Sequence, residues 1–381
     1  MSDQSRAHAA RLVILVSSDR RRGAEVFGET LRDGLRGRGW DVGLVSLTTS
    51  PDGPRVAATP LSAIPPDDIG KLDRKVVRSL RKHVSGVRPD LVLANGAATM
   101  QYAVAALRLM RRRPGLVYTS IGEPMYWIRS SYHRVLRTFI LKGVDRVLSV
   151  SSTTARQLVD QLGVPAAKVR VAPTGVPARF FDVPAASRSA GEPLNVVFVG
   201  NLSDEKDPLA AIDVIASVAE AAPIRMRFLG GGPLLEDVKR AAADRKLGDA
   251  VEVLGSVPDV LPHLEWADVL LLTSRTEGLP GVPLEAGAAA VPSVVYDVGG
   301  AAETVTDGVT GRVVPAGDLR AAADALIEMA QDSELCTRMG LAARHMVRER
   351  FTLEASLDRY NDLLTDEMRA RGAAADAEVV R

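Results

Sequence analysis

Cysteine is almost missing from this chain: Cys336 is the one thiol in 381 residues. That excludes an intramolecular disulfide and a cysteine cluster for a metal, and leaves Cys336 to be read as a core thiol rather than a nucleophile. Long apolar runs are missing too. The first one, 12–16, covers only five residues behind a polar stretch, so it reads as a strand and not as a signal peptide. Nothing approaches the roughly 20 apolar residues of a membrane-spanning helix. There is no internal repeat and no low-complexity segment. A cytoplasmic location is the default expectation.

What is present is ordinary globular composition, with 46% apolar and 25% charged residues. The length allows two to three domains. The formal net charge of +1 hides an uneven distribution. Residues 1–180 carry 29 Lys and Arg against 14 Asp and Glu, a net +15. Residues 181–381 carry 19 against 33, a net −14. A basic half and an acidic half imply either an anionic partner for the first or attraction between the two. Two basic clusters sharpen the asymmetry. One is a helix expected over 71–82, with Leu72, Val76, Val77 and Leu80 on one side and bases around the rest. The other is Arg111, Arg112 and Arg113 at the end of a second expected helix. A basic amphipathic helix can lie on an anionic leaflet.

Short apolar strands alternate with helical stretches. They are expected at 12–16, 42–47, 91–94, 116–119, 147–150 and 169–172, then at 196–199, 226–229, 251–254, 269–272, 293–296 and 312–314. Continuous Val and Leu runs mark strands buried on both faces, hence parallel sheets covered by helices. Residues 176–193 break the pattern with three prolines and no periodicity, which is linker composition. The fold class is therefore α/β, with two doubly wound, Rossmann-like domains. Each has its ligand crevice at the carboxyl ends of its strands.

The most informative stretch is Glu277-Gly-Leu-Pro-Gly-Val-Pro-Leu-Glu285. An apolar strand enters it and an Ala-rich helix, about 282–290, leaves it. Such a turn exposes unpaired N–H groups at a helix start, where an anion is favoured. Two carboxylates beside an anion site suit a ligand that also carries sugar hydroxyls, since a carboxylate only accepts and holds a vicinal diol well.

This E-x7-E spacing resembles the signature of the retaining glycosyltransferases of family 4, which have the GT-B fold. The resemblance is closest over about 195–318 and weaker over 11–177. It implies two domains facing each other across a cleft: an acceptor-side domain, 1–180, and a nucleotide-sugar-binding domain, 194–350. A C-terminal helix, 352–370, would pack back on the first with Leu357, Tyr360, Leu363 and Leu364 as its apolar side, and 372–381 reads as a frayed tail. By position, Glu285 would bind the nucleotide ribose and Glu277 the transferred sugar. The backbone of Gly278, Leu279, Pro280, Gly281 and Val282 would meet the diphosphate.

Gly200-Asn201-Leu-Ser-Asp-Glu-Lys206 resembles the family's "G-R-L-x-x-E-K" segment, which neutralises the leaving diphosphate. Lys206 keeps one charge; Asn201 stands where Arg is usual. Phe228-Leu-Gly-Gly-Gly-Pro matches a mostly structural turn, and Val253-Leu254-Gly255 the segment whose backbone contacts the nucleobase. Asp297-Val-Gly-Gly-Ala-Ala-Glu303 lies near the donor in the family, although Glu303 fits a plain helix start equally. In the first half, Arg22 and Gly23 sit in a counterpart of the "G-G-A-E" loop, with Arg22 replacing a glycine. Where many members carry a His against the sugar, this chain has Gly122 and then Glu123. His133 is read as a surface residue, and Ser152 and Thr153 as helix caps.

The expectation is a metal-independent, retaining transferase that moves a sugar from a nucleotide-diphosphate sugar to an acceptor hydroxyl. No Asp-x-Asp cluster is present to hold Mg²⁺, and no cofactor is implied. A nucleotide-sugar-binding module without turnover, or a glycan-cleaving enzyme using the paired carboxylates, remains open. The basic first domain is expected to meet an anionic acceptor, or the inner face of a membrane as a peripheral protein, and no nucleic acid. Base, sugar and acceptor are not legible.

Overall fold

The computed structural model describes residues 9–379 apart from 52, 64–71, 109, 127, 129, 186–187 and 190, with side chains to 372. It divides into two units, residues 1–173 with 356–381, and residues 174–355.

The first unit holds strands β1 (Arg11–Ser18), β2 (Asp41–Thr48), β3 (Thr59–Pro60), β4 (Leu91–Asn95), β5 (Gly115–Ser120), β6 (Arg146–Ser149) and β7 (Val169–Val171). They pair in parallel in the order β3-β2-β1-β4-β5-β6-β7. Its helices are α1 (Gly23–Arg36), α2 (Arg74–Val87), α3 (Ala97–Leu107), α4 (Ser131–Leu141) and α5 (Ser152–Arg156), which runs into a π-helical turn, Gln157–Gln161. Every residue of the Leu12–Val16 run is buried, because helices cover both faces of a parallel sheet.

The second unit holds β8 (Leu194–Val199), β9 (Ile224–Leu229), β10 (Val251–Gly255), β11 (Val269–Leu272), β12 (Ser293–Tyr296) and β13 (Gly311–Val314) in the order β10-β9-β8-β11-β12-β13. Around them run α6 (Pro208–Ala219), α7 (Leu235–Asp244), α8 (Leu261–Trp266), α9 (Gly281–Ala288), α10 (Leu319–Gln331) and α11 (Ser333–Arg350). The core fills the sheet–helix space with Val196, Phe198, Ile212, Ile215, Phe228, Leu271 and Leu326.

All twelve strands expected from the apolar runs are present, with ends shifted by at most two residues. The thirteenth, β3, is two residues at a sheet edge, and Pro60 is tolerated there because an edge strand has an N–H side without a partner. The described residues of the 176–193 stretch are anchored: Phe180 and Val183 are buried, and Arg188 Nη2 donates to the carbonyls of Met329 and Ala330. Two apolar anchors and an arginine override the proline-rich composition.

The last helix, α12 (Leu353–Val379), continues through the segment expected to fray. Leu357, Tyr360 and Leu364 are buried; Leu363 is only half-buried. Tyr360 packs edge-on against Phe27, and its hydroxyl donates to the Ala172 carbonyl at 3.2 Å. Trp40 Nε1 donates to Asn361 Oδ1 at 3.0 Å, and Arg146 pairs with the buried Glu367. Helix α2 is capped by Asp73, whose carboxylate accepts from the Lys75 and Val76 amides. Its stripe is Val76, Leu80 and Val84, all turned into the core. Leu72 precedes the helix and is exposed, and Lys71 lies outside the described residues.

Candidate functional site

Both sheets reverse their strand order beside the first strand, between β8 and β11 in the second unit and between β1 and β4 in the first. Loops leaving neighbouring strands in opposite directions open a crevice at their carboxyl ends. In the second unit the loop after β8 carries Lys206 and the loop after β11 carries Glu277. Strand β8 lies beside β11 through Val196–Val269 and Val197–Leu270. Two residues 71 apart in sequence thus meet: Lys206 Nζ lies 2.5 Å from Glu277 Oε1. Ser274 Oγ donates to the same oxygen at 2.6 Å.

The two loops are tied together along their length. Thr273 Oγ1 donates to the Asp207 carbonyl at 2.8 Å, the Arg275 amide to the Glu205 carbonyl at 2.8 Å, and Arg275 Nε to Asp207 Oδ2 at 2.8 Å. Glu277 is 8% exposed. A carboxylate that deep is tolerated only with a close cation and further donors, which Lys206 and Ser274 supply. Beyond Glu277 the chain turns at Pro280 into α9, and no side chain caps that helix. Its first N–H groups, at the exposed Gly281 and at Val282, are therefore available to an anion. Gly278, Leu279 and Pro280 are buried.

Glu285 sits half-buried on α9, near the Arg179–Asp259 ion pair. Burial pushes its carboxyl up to about 7; the Arg179 guanidinium opposes the shift and the Asp259 carboxylate adds to it.

Gly299 explains the Val298-Gly-Gly segment. It has a φ of +51°, and a Cβ there would stand 1.8 Å from the Glu277 carbonyl oxygen. The neighbouring Gly300 amide donates to that same oxygen at 3.1 Å. These glycines let the backbone close under Glu277. Gly299→Ala is expected to cost about 1–3 kcal/mol of stability and to lower activity, because the Glu277 loop must move. Urea unfolding checks the first and turnover the second; parental values in both would remove the role. Gly230 is the same device at another loop, with its Cβ position 1.8 Å from the Gly200 carbonyl oxygen.

Gly200 borders the Lys206 side chain, and Asn201 is exposed beside it. Val253, Leu254 and Gly255 end the edge strand β10, where the Gly255 carbonyl accepts from the Gly230 amide at 2.7 Å. Glu303 closes a 3₁₀ turn, Ala301–Glu303, with its amide bonded to the Gly300 carbonyl.

In the first unit the reversal between β1 and β4 brings the α1 start against Asn95, whose Nδ2 donates to the Ala24 carbonyl at 2.7 Å. Asn95 is 3% exposed, and its Oδ1 has no partner among the described residues. Next to it Glu25 is buried, and burial pushes its carboxyl up to about 7 against its own backbone amide, the Arg22 charge and the Ser18 backbone. Arg22 and Gly23 are exposed. Sequence reasoning left Glu25 and Asn95 out of the site. Glu25 is the last residue of the G-G-A-E counterpart that begins at Arg22 and could have been found; Asn95 carried no signal beyond ending a strand.

Glu123 accepts from Gln157 Nε2 at 2.8 Å, and Gln157 opens the π-helical turn. Gly122 has open space where a Cβ would stand, so glycine is not sterically required there. His133 is exposed on α4, its ring bonded to the capping Ser130. The cap of α5 is Ser151, not Ser152 or Thr153, since only Ser151 has the extended backbone that aims its hydroxyl at the Thr154 amide. Cys336 is buried, its thiol pushed up to about 12 mainly by burial, as suits an inert core residue. Among the described residues no three His, Cys, Asp or Glu side chains converge as a metal-ligand set.

Comparison with known proteins adds the following. The family model of the glycosyl transferases group 1 matches residues 181–346, and that of glycosyltransferase family 4 matches residues 21–180. A GDP-mannose-dependent alpha-(1-6)-phosphatidylinositol monomannoside mannosyltransferase of Mycolicibacterium smegmatis is 30% identical over 322 residues, covering 79% of this chain and 83% of its own. A D-inositol 3-phosphate glycosyltransferase of Kribbella flavida is 34% identical over 224 residues, covering 54% of this chain and 52% of its own. Among solved structures, sucrose-phosphate synthase of Thermosynechococcus elongatus superposes with a TM-score of 0.83 at 20% identity, over 95% of this chain and 100% of that one. HepE of Anabaena, in complex with UDP and glucose, gives 0.78 at 18%, over 94% and 100%.

Proposed function

The chain belongs to the family 4, group 1 glycosyltransferases and has their GT-B fold, and from that premise we propose that it moves a sugar, with retention and without a metal, from a nucleotide-diphosphate sugar to a hydroxyl of a phosphate-bearing polyol acceptor. One observation carries the reading: the Lys206–Glu277 pair at the β8/β11 switch point, beside the uncapped start of α9.

The parts divide the work. The Lys206 ammonium, the Asn201 amide and the first N–H groups of α9 take the diphosphate. Glu285 accepts from the ribose hydroxyls. Glu277 offers Oε2 to a hydroxyl of the transferred sugar while Lys206 and Ser274 hold Oε1. The acceptor oxygen bonds to the anomeric carbon as the bond from that carbon to the β-phosphate oxygen breaks. The electron pair leaves with the nucleoside diphosphate, which takes the acceptor's proton. Charge grows on the departing phosphate, and donors fixed in advance stabilise it.

Two features support the donor and acceptor classes. The relative from Mycolicibacterium smegmatis is GDP-mannose-dependent, so GDP-mannose is the first donor to test. Both relatives are named for inositol-bearing substrates, and the net +15 of the first 180 residues favours an anionic acceptor. A thermal-shift series with UDP-, GDP-, ADP- and dTDP-sugars should give its largest shift with GDP-mannose, about 2.7 kcal/mol of stabilisation at a hundredfold excess over Kd. Transfer to D-inositol 3-phosphate, with the product's anomeric configuration read by NMR, should show retention. No shift with any nucleotide sugar, or an inverted product, would overturn the proposal. EDTA is expected to leave turnover unchanged. Loss of turnover that Mg²⁺ or Mn²⁺ restores would overturn the metal-free part alone.

A further inference from the structure

Helix α4 turns its apolar side to solvent. Tyr132, Val135, Leu136 and Phe139 recur at i, i+3, i+4 and i+7, the spacing of a single stripe. Their exposures are 72%, 68%, 42% and 53%, and Leu141 is the helix's one fully buried residue. Four large apolar side chains in one row mark an interaction surface rather than scattered exposure.

Along the chain itself the charge of this segment has one sign, with Glu123 and Asp145 just outside it and the exposed Asp160 on the turn that Arg134 bonds to. Residues 124–144 contain four Lys and Arg and no Asp or Glu. Arg134 and Lys142 are exposed on or beside the helix. The Arg108 guanidinium stands 5.3 Å over the Phe139 ring, and Arg111 and Arg112, both exposed, follow it in sequence.

We propose that α4 lies flat on an anionic bilayer surface, with its stripe in the acyl boundary and its bases at the headgroup phosphates. The combination fits a leaflet of negative lipid, where apolar insertion and basic side chains add. It does not suit a second copy of the same face, which would bring like charges together. Helix α2 is the weaker candidate despite its bases, because its stripe is spent on the core.

The loop that enters α4 carries Gly122 and Glu123, so docking would bring that loop to the lipid surface and select a membrane-borne acceptor. That last step rests on the glycosyltransferase reading; the docking does not.

Co-sedimentation of the full chain with phosphatidylcholine vesicles, with and without phosphatidylglycerol, tests the docking. Binding is expected to the anionic vesicles only and to weaken at high salt. Val135→Asp with Phe139→Asp should lower the bound fraction about fivefold or more. Arg134→Glu with Lys142→Glu, which leaves the stripe intact, should remove the salt-sensitive part. Unchanged melting and an unchanged nucleotide-induced shift show that both variants are folded and keep the donor site. Equal indifference of the parent to both vesicles, parental binding by both variants, or a dimer in light scattering that the stripe variant dissolves would overturn the proposal. Loss of vesicle binding with full turnover on a soluble acceptor supports it, whereas failure of turnover with intact vesicle binding would count against the transferase reading alone.

Discussion

Lys206→Ala is expected to lower kcat by about 10²–10³, the loss seen when one preorganised donor to a developing oxyanion is removed, about 2.7–4 kcal/mol. The ammonium is held at the mouth of the β8/β11 crevice by Glu277 Oε1, 2.5 Å away. It is 26% exposed, so solvent weakens its field only in part. In the proposed mechanism its interaction with the phosphate grows as the sugar bond breaks, so the loss should fall on kcat more than on KM. A second effect follows from the pairing. Without Lys206, the buried Glu277 carboxylate keeps Ser274 as a donor but has lost its cation, so the variant should also melt earlier. Lys206→Ala with Glu277→Gln should recover the melting temperature but not the turnover. Steady-state kinetics at saturating donor, with melting curves beside them, separate the two roles. A fall in kcat of less than about threefold, roughly 0.7 kcal/mol, would reduce Lys206 to a structural partner of Glu277.

The parallel sheets were legible because their strands are buried on both faces and read as unbroken Val and Leu runs; Leu12–Val16 and Val269–Leu272 are examples. The strand-turn-helix that carries Glu277 and Glu285 was legible because an apolar run, a Gly- and Pro-bearing turn and an Ala-rich stretch follow one another. The contact between Lys206 and Glu277 was not. It depends on β8 lying beside β11, and strand order is a property of the whole sheet rather than of any local stretch. Asn95 was hidden for the same reason, since its meeting with the start of α1 needs β1 beside β4. Helices α2 and α4 show a further limit. Both carry an apolar stripe with bases around it; α2 turns its stripe inward and α4 outward. Periodicity gives the width of a stripe and not what covers it.

Glu285→Gln is expected to weaken binding of the bare nucleoside diphosphate by about 1.5–3 kcal/mol, because the proposed role of Glu285 is a charged hydrogen bond to the ribose, made before any chemistry. It is also expected to stabilise the unliganded protein at alkaline pH. The carboxyl sits at about 7 in the folded chain against the ordinary 4.5. Below 4.5 it is protonated both folded and unfolded. Between 4.5 and 7 the folded chain binds more protons, so stability falls as pH rises through that window, and the whole penalty stands above 7. At about 1.36 kcal/mol per pH unit that is of the order of 3 kcal/mol. Glutamine cannot ionise and escapes the penalty at pH 8, while at pH 4 it gains nothing. Ribose hydroxyls donate to the ionised form, so nucleotide affinity of the parent should rise as pH is raised from 6 to 8, and the variant's should not. Urea unfolding at pH 4 and 8 and calorimetric titration at pH 6 and 8 supply the four numbers. A variant that keeps parental affinity with the same pH slope would leave Glu285 without its ribose. Gained stability at pH 8 together with lost affinity is the signature of a carboxylate kept in place for its ligand at the expense of the fold.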